Sequence, residues 1–155
     1  MVLVKVIAFV LWSTAMVFVG ALVPKFWTTT DHSDQTGEAV AAVRLQSRHL
    51  EGSDLGEFQR DKPESSLVQR SHQSFESQDG RFRVGIWEAK TGAIEIPNPY
   101  PGDELMYVLS GKFALIDQQG NRQECSEGEG MILPKGWTGT FEVPESVRKI
   151  WVYYK

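Results

Sequence analysis

The sequence predicts an all-β sandwich or barrel preceded by one hydrophobic N-terminal segment. Three observations carry this. Beyond Ala42, short apolar stretches recur at even spacing, separated by glycine, proline and acidic turn residues. No segment with helical periodicity lies between them, and such a series of short strands packs as a sandwich or closes as a barrel. Ahead of them, Val6 to Val23 carries no charge and is apolar all round, unlike the one-sided stripe of a helix in a soluble domain.

The N-terminal segment comes first in the chain. Its eighteen residues span about 27 Å as a helix, close to the ~30 Å hydrocarbon core of a bilayer. Lys5 and the α-amine precede it, and Pro24 and Lys25 close it. Val19-Gly20-Ala21 fits the small-residue rule for signal cleavage after Ala21. Residues 1–27 are therefore expected to be a signal peptide or an uncleaved membrane anchor, with burial inside the domain as the remaining alternative. Positive charge at the start favours a cytoplasmic amino end and an exported, extracytoplasmic remainder, although Lys25 weakens that bias. Residues 28–41 are polar and turn-forming, as in a linker, leaving 42–155 as the domain.

Within the domain the early signal is thin. Val40 to Leu45 reads as an added strand, Asp54 to Phe58 as a short turn of helix, and Glu57 to Gln73 as a polar loop or arm around Pro63. The turn Gln78-Asp79-Gly80 then opens a strand over Phe82 to Ala89. Ile94 and Ile96 alternate with Glu95 and Pro97, leading to Asn98. Leu105 to Leu109 is a compact strand ending at Gly111. Phe113 to Ile116 runs into Asp117-Gln118-Gln119-Gly120-Asn121, a hairpin turn whose Gly120 can supply positive φ. Glu124 to Glu129 reads as a solvated acidic turn; Met131 to Leu133 stops at Pro134-Lys135-Gly136; Thr138 to Val143 and Lys149 to Tyr154 complete the set.

Composition narrows the function. Hydrophobic residues make up 41% and charged residues 23% of 155, enough for one domain with a core and too apolar for disorder. Sixteen basic against twenty acidic residues leave no surplus to neutralise phosphates, so nucleic acid is not expected as a partner. One cysteine, Cys125, excludes an internal disulfide and a thiolate zinc cluster. Acidic neighbours Glu124 and Glu127 should raise its thiol pKa, which argues against a nucleophile. No phosphate loop or Ser-His-Asp signature is present.

Two stretches carry a family likeness. Gly92-x5-Asn98-x-Tyr100-x3-Glu104-x6-Gly111 resembles the first cupin motif, and Gly128-x5-Pro134-x-Gly136-x2-Gly139 resembles the second. The longer runs Tyr100-Pro101-Gly102-Asp103-Glu104-Leu105-Met106-Tyr107 and Gly128-Glu129-Gly130-Met131-Ile132-Leu133-Pro134-Lys135-Gly136-Trp137 resemble the ureidoglycine aminohydrolase-like branch. Over residues 41–155 the likeness implies a cupin-type double-stranded β-helix, or jelly-roll barrel, and, from the habit of such barrels, a homodimer. It also implies a metal held by histidines and a carboxylate, but here the matching places hold Asn98, Tyr100, Glu104 and Gly139. Only Glu104 is a good ligand, and His32, His49 and His72 all lie upstream, so no metal or other cofactor is expected.

With strand period two, Ile94, Ile96, Asn98 and Tyr100 share one face; Glu104, Met106 and Val108 share another; and Trp137, Gly139 and Phe141 a third. If these faces turn inward, an acid, an amide and a phenol converge in an apolar interior, a candidate small-molecule pocket. Glu104 then either contacts ligand, with Tyr100 as an acid–base pair in an enzyme, or closes the barrel end by hydrogen bonding. Trp87, Trp137 and Phe141 either stack on a ligand ring or fill the core. Trp151, Tyr153 and Tyr154 are expected in sheet packing or a dimer contact, and Leu105, Tyr107 and Leu109 on an apolar outer face. The expected function is binding of a small polar metabolite. The alternative is a metal-dependent or acid–base enzyme, of aminohydrolase, isomerase or lyase type, acting on a small nitrogenous or sugar-like substrate.

Overall fold

The computed structural model describes residues 40–60 and 65–155. The expected membrane-directing segment 1–27, and the linker up to residue 39, lie outside the described residues.

Alternation builds the sheets. In Asp103–Ser110, Glu104, Met106 and Val108 are buried while Asp103, Leu105 and Tyr107 are exposed, so one strand presents an inner and an outer face. Among the described residues a short helix α1 (Ser47–Leu50) precedes ten strands. They are β1 (Gln59–Arg60), β2 (Val68–Glu76), β3 (Phe82–Ala89), β4 (Gly92–Ile96), β5 (Asp103–Ser110), β6 (Lys112–Asp117), β7 (Arg122–Ser126), β8 (Gly130–Leu133), β9 (Gly139–Val143) and β10 (Val147–Tyr154). A six-stranded sheet in the order β1-β2-β3-β10-β5-β8 faces a four-stranded sheet in the order β4-β9-β6-β7. Every pairing is antiparallel.

The chain turns where its residue types require. At the β6–β7 hairpin, Asp117 Oδ1 accepts from the backbone N–H of Gln119 at 2.9 Å and of Asn121 at 2.8 Å, and Gly120 supplies φ +83°. Between the sheets Phe113 and Phe141 stack at 5.0 Å, and Trp87 meets Phe141 edge-on at 5.6 Å. Met106, Val108, Leu133, Val143 and Val147 close around them, all buried. Each such side chain contributes about 1.5–3 kcal/mol of hydrophobic free energy.

Four expectations are corrected. Val40 to Leu45 forms no strand; Val40 and Val43 are exposed and meet no sheet edge. The helical turn lies at α1 instead of Asp54 to Phe58, and buries His49. The polar stretch up to Gln73 contains β1 and most of β2, a nine-residue strand. Its polarity has a cause: Gln69 and Ser71 point into a cavity, so the apolar alternation that marks a strand is missing. Finally, β7 takes the first half of the supposed acidic turn, because Cys125 packs against Phe113 across the ladder and is buried.

Candidate functional site

A cavity of about 450 Å³ opens between the sheets, with Met106, Leu133 and Phe141 of the core cluster in its wall. Its polar centre starts with Glu104. Pro97, Pro99 and Pro101 cannot continue a ladder, so β4 stops at Ile96 and a short proline-rich link leads to β5. Tyr100 is fixed within that link by two backbone hydrogen bonds. Its N–H donates to the Trp137 carbonyl at 2.9 Å, and its own carbonyl accepts from Gly136 at 2.8 Å. Asp103 takes the turn role by accepting from the Lys135 N–H at 2.9 Å. Glu104, next along, points inward, and the Tyr100 hydroxyl donates to its Oε2.

The other oxygen meets a residue that the sequence reading missed. Lys149 on β10 is in register with Val108, four residues along β5 from Glu104, and its long side chain spans that offset. Lys149 Nζ donates to Glu104 Oε1 at 2.7 Å, with side chains 7% and 11% exposed. The ammonium also lies 5.1 Å from the Trp87 ring centre and 5.2 Å from that of Phe141, within cation–π range. Burial holds the Lys149 amine below the usual lysine range, against the pull of the Glu104 carboxylate. Burial first, and then the Glu104 charge, pushes the Tyr100 phenol far above its usual value, so Tyr100 serves as a neutral donor.

Around this chain of three stand Arg83 and Trp87 from β3, Trp151 and Tyr153 from β10, and Gln69 from β2, whose Oε1 accepts from the Trp87 indole N–H. The guanidinium carbon of Arg83 lies 4.8 Å from the Tyr153 ring centre. Strand period two was the signal for Lys149, Trp151 and Tyr153, which share one face of β10 just as Arg83 and Trp87 share one face of β3. Nothing in the sequence marked that face as interior, since a lysine or arginine inside a barrel contradicts the usual rule.

Of the expected site residues, Tyr100, Glu104, Met106, Trp87 and Phe141 line the cavity. Two do not. Asn98 is exposed, because the strand ends before it and the alternation does not extend through the prolines. Trp137 turns its ring toward Gly139, beside a second, more polar hollow that includes Leu115 and Asp117. It serves the site only through its backbone carbonyl. Trp151 and Tyr153, expected in sheet packing, line the cavity instead, while Tyr154 is exposed beneath Arg81. His49 and His72 stack on each other with ring centres 3.6 Å apart and do not line the cavity. Cys125 is buried, and burial, followed by the Glu129 charge, raises its thiol; Glu124 and Glu127 are not the cause.

The class is now defined. Two antiparallel sheets enclosing an inward-facing site make this a cupin jelly-roll barrel. A family model described as the EutQ-like cupin domain matches residues 76–151. The chain is similar to the EutQ protein of Clostridium difficile, at 29% identity and a TM-score of 0.53, covering 61% of this chain and 74% of that one. It is also similar to a protein of Salmonella typhimurium assigned as ethanolamine utilization protein Q, at 24% identity and a TM-score of 0.50, covering 56% and 69%. The polyketide cyclase RemF of Streptomyces resistomycificus shares the fold at 21% identity and a TM-score of 0.54, covering 74% and 80%. Comparison with curated proteins gives no match.

The residues present do not fit the metal that cupins commonly hold. Glu104 is the one carboxylate lining the cavity among the described residues, and both its oxygens are engaged, one by the Lys149 ammonium. A cation would have to displace that ammonium and then find nitrogen ligands that the wall does not offer. Gly139 cannot become one without rebuilding: its φ is +151°, and an added Cβ would sit 2.2 Å from the Ile116 carbonyl oxygen.

Proposed function

We propose that this protein binds a small polar metabolite in the cavity between its sheets, without a cupin metal. The observation that carries this reading is the Tyr100–Glu104–Lys149 chain, in which three polar groups converge inside a largely apolar and aromatic wall. A charge pair buried in a barrel adds little to stability compared with apolar packing, so its presence calls for a role other than holding the fold. The cavity volume lies within the range of small-molecule sites. The likeness to the ureidoglycine aminohydrolase-like branch does not bring its activity along, because that chemistry rests on the metal ligands that are missing here. The test is a thermal-shift screen of amines, ureides, sugars and organic acids on the full-length chain in detergent. A ligand that stabilises the protein and is lost in Trp87→Ala supports the reading; a flat screen counts against it.

A second reading is favoured by the same chain of groups. A neutral phenol, a carboxylate and an ammonium in sequence can pass a proton, as an isomerase or lyase requires. Glu104→Gln and Tyr100→Phe would then abolish turnover of a bound ligand, and full turnover in both would end this idea.

Two further expectations remain proposals. Residues 6–23 direct the chain to the membrane, so that the barrel is exported or tethered outside the cytoplasm; the charge-free run behind Lys5 supports this, and protease protection in intact cells tests it. A second copy pairs through the outer face of β5 and β8, where Leu105, Tyr107 and Ile132 are 45%, 44% and 64% exposed. Sedimentation in detergent as a monomer at micromolar concentration would contradict the pairing.

A further inference from the structure

We infer that the cavity contains a carboxylate seat at Arg83, and that its ligand is a small organic acid with a flat or apolar body. This rests on the reading of the cavity as a ligand site and adds the ligand's charge and shape.

Three charged side chains line the cavity among the described residues: Glu104, Lys149 and Arg83. The first two neutralise each other at 2.7 Å. Arg83 is left with no carboxylate within ion-pair distance among the described residues. Its Nε is buried and has no hydrogen-bond acceptor. A buried donor without an acceptor costs about 1–3 kcal/mol, and more when it is charged. The guanidinium is also held in place, since Arg83 lies opposite Tyr153 in the β3–β10 ladder and stacks over that ring. A planar fork fixed on an aromatic face is the arrangement that takes a carboxylate through two parallel hydrogen bonds.

The charge balance selects the kind of anion. With the Lys149–Glu104 pair closed, the cavity is one positive charge in excess, which a single carboxylate satisfies. A doubly charged phosphate would leave a negative charge uncompensated in the same cavity as Glu104. The wall beside Arg83 sets the shape of the rest. Gly85 lies between Arg83 and Trp87 on the same face of β3, and a Cβ there would stand 2.5 Å from the Trp151 ring. The absence of that Cβ leaves room for the Trp151 indole against β3. Trp151 and Trp87 thus give an aromatic surface next to the guanidinium, suited to a planar or apolar body.

The experiment is calorimetric titration of the full-length chain in detergent with benzoate, benzamide, benzylamine and inorganic phosphate, together with butyrate and butyramide as an aliphatic pair. The three ring compounds have nearly one shape and differ in charge. The expected result is binding of at least one carboxylate, with its amide weaker by tenfold or more. Arg83→Gln should erase that preference, again by tenfold or more. It should keep the wild-type far-ultraviolet spectrum and thermal midpoint within a few degrees, because no ion pair is lost. Binding of benzamide or benzylamine as tight as that of benzoate, or unchanged carboxylate binding in Arg83→Gln, would overturn the carboxylate seat and leave the cavity reading standing. Phosphate bound more tightly than either carboxylate would overturn the choice of anion. No binding of any probe would overturn both the seat and the cavity reading.

Discussion

Replacing Lys149 by methionine isolates the cost of the buried pair. The variant keeps most of the side-chain volume and leaves the Glu104 carboxylate, 11% exposed, with the Tyr100 hydroxyl as its remaining partner. Removing one member of a buried pair costs about 3–5 kcal/mol. Glu104→Gln strands the ammonium instead, and its escape is to lose a proton, toward which burial already drives Lys149. That escape becomes cheaper as pH rises. In Glu104→Gln the unfolded state holds the extra proton, so the deficit shrinks as pH rises.

The double variant Glu104→Leu with Lys149→Met removes both charges and should lie within about 1–2 kcal/mol of the parent, or above it. The measurement is urea unfolding of each form at pH 5.5, 7.5 and 9. For the 116 residues Val40–Lys155, an unfolding entropy of about 2.1 cal/mol/K per residue makes 3–5 kcal/mol equal to about 12–20 °C in Tm. A Glu104→Gln deficit that does not vary with pH, or single-variant costs that simply add in the double variant, would refute the pair as a coupled unit.

Three more outcomes are expected. Tyr100→Phe should leave the phenolate absorbance near 295 nm unchanged up to the pH of alkaline unfolding, because the raised Tyr100 phenol does not ionise in the folded protein; a lost step below that pH would contradict the hydrogen bond to Glu104. Gly139→Ala should lower stability by more than 2 kcal/mol in urea unfolding, since backbone strain at φ +151° adds to a contact of 2.2 Å with the Ile116 carbonyl, and a loss within 0.5 kcal/mol would show that the β8–β9 corner yields. Cys125 should react with a thiol-specific disulfide reagent only as fast as the protein unfolds, being 1% exposed with its thiol raised by burial, and prompt reaction in the native state would disprove that placement.

Sequence periodicity was informative wherever a strand has one apolar and one polar face. Glu104, Met106 and Val108 could be assigned to the interior of β5 because Asp103, Leu105 and Tyr107 alternate with them. The Asp117–Asn121 turn was legible because its geometry depends on local residue types alone. Where a strand borders the cavity the signal reverses. Polar Gln69 and Ser71 face inward on β2, which therefore read as a loop, and no local pattern singled out Arg83 or Lys149.

The residues alone thus determined an all-β chain, a barrel, and an acid with a phenol at its centre. They did so because alternation and turn chemistry act over a few neighbouring positions. Only the tertiary structure decided that Lys149 answers Glu104, that Asn98 lies outside, and that Arg83 enters the cavity without an acidic partner among the described residues. Those outcomes depend on cross-strand register between β10, β5 and β3, which are joined by contacts dozens of residues apart, and no local pattern encodes which strands become neighbours.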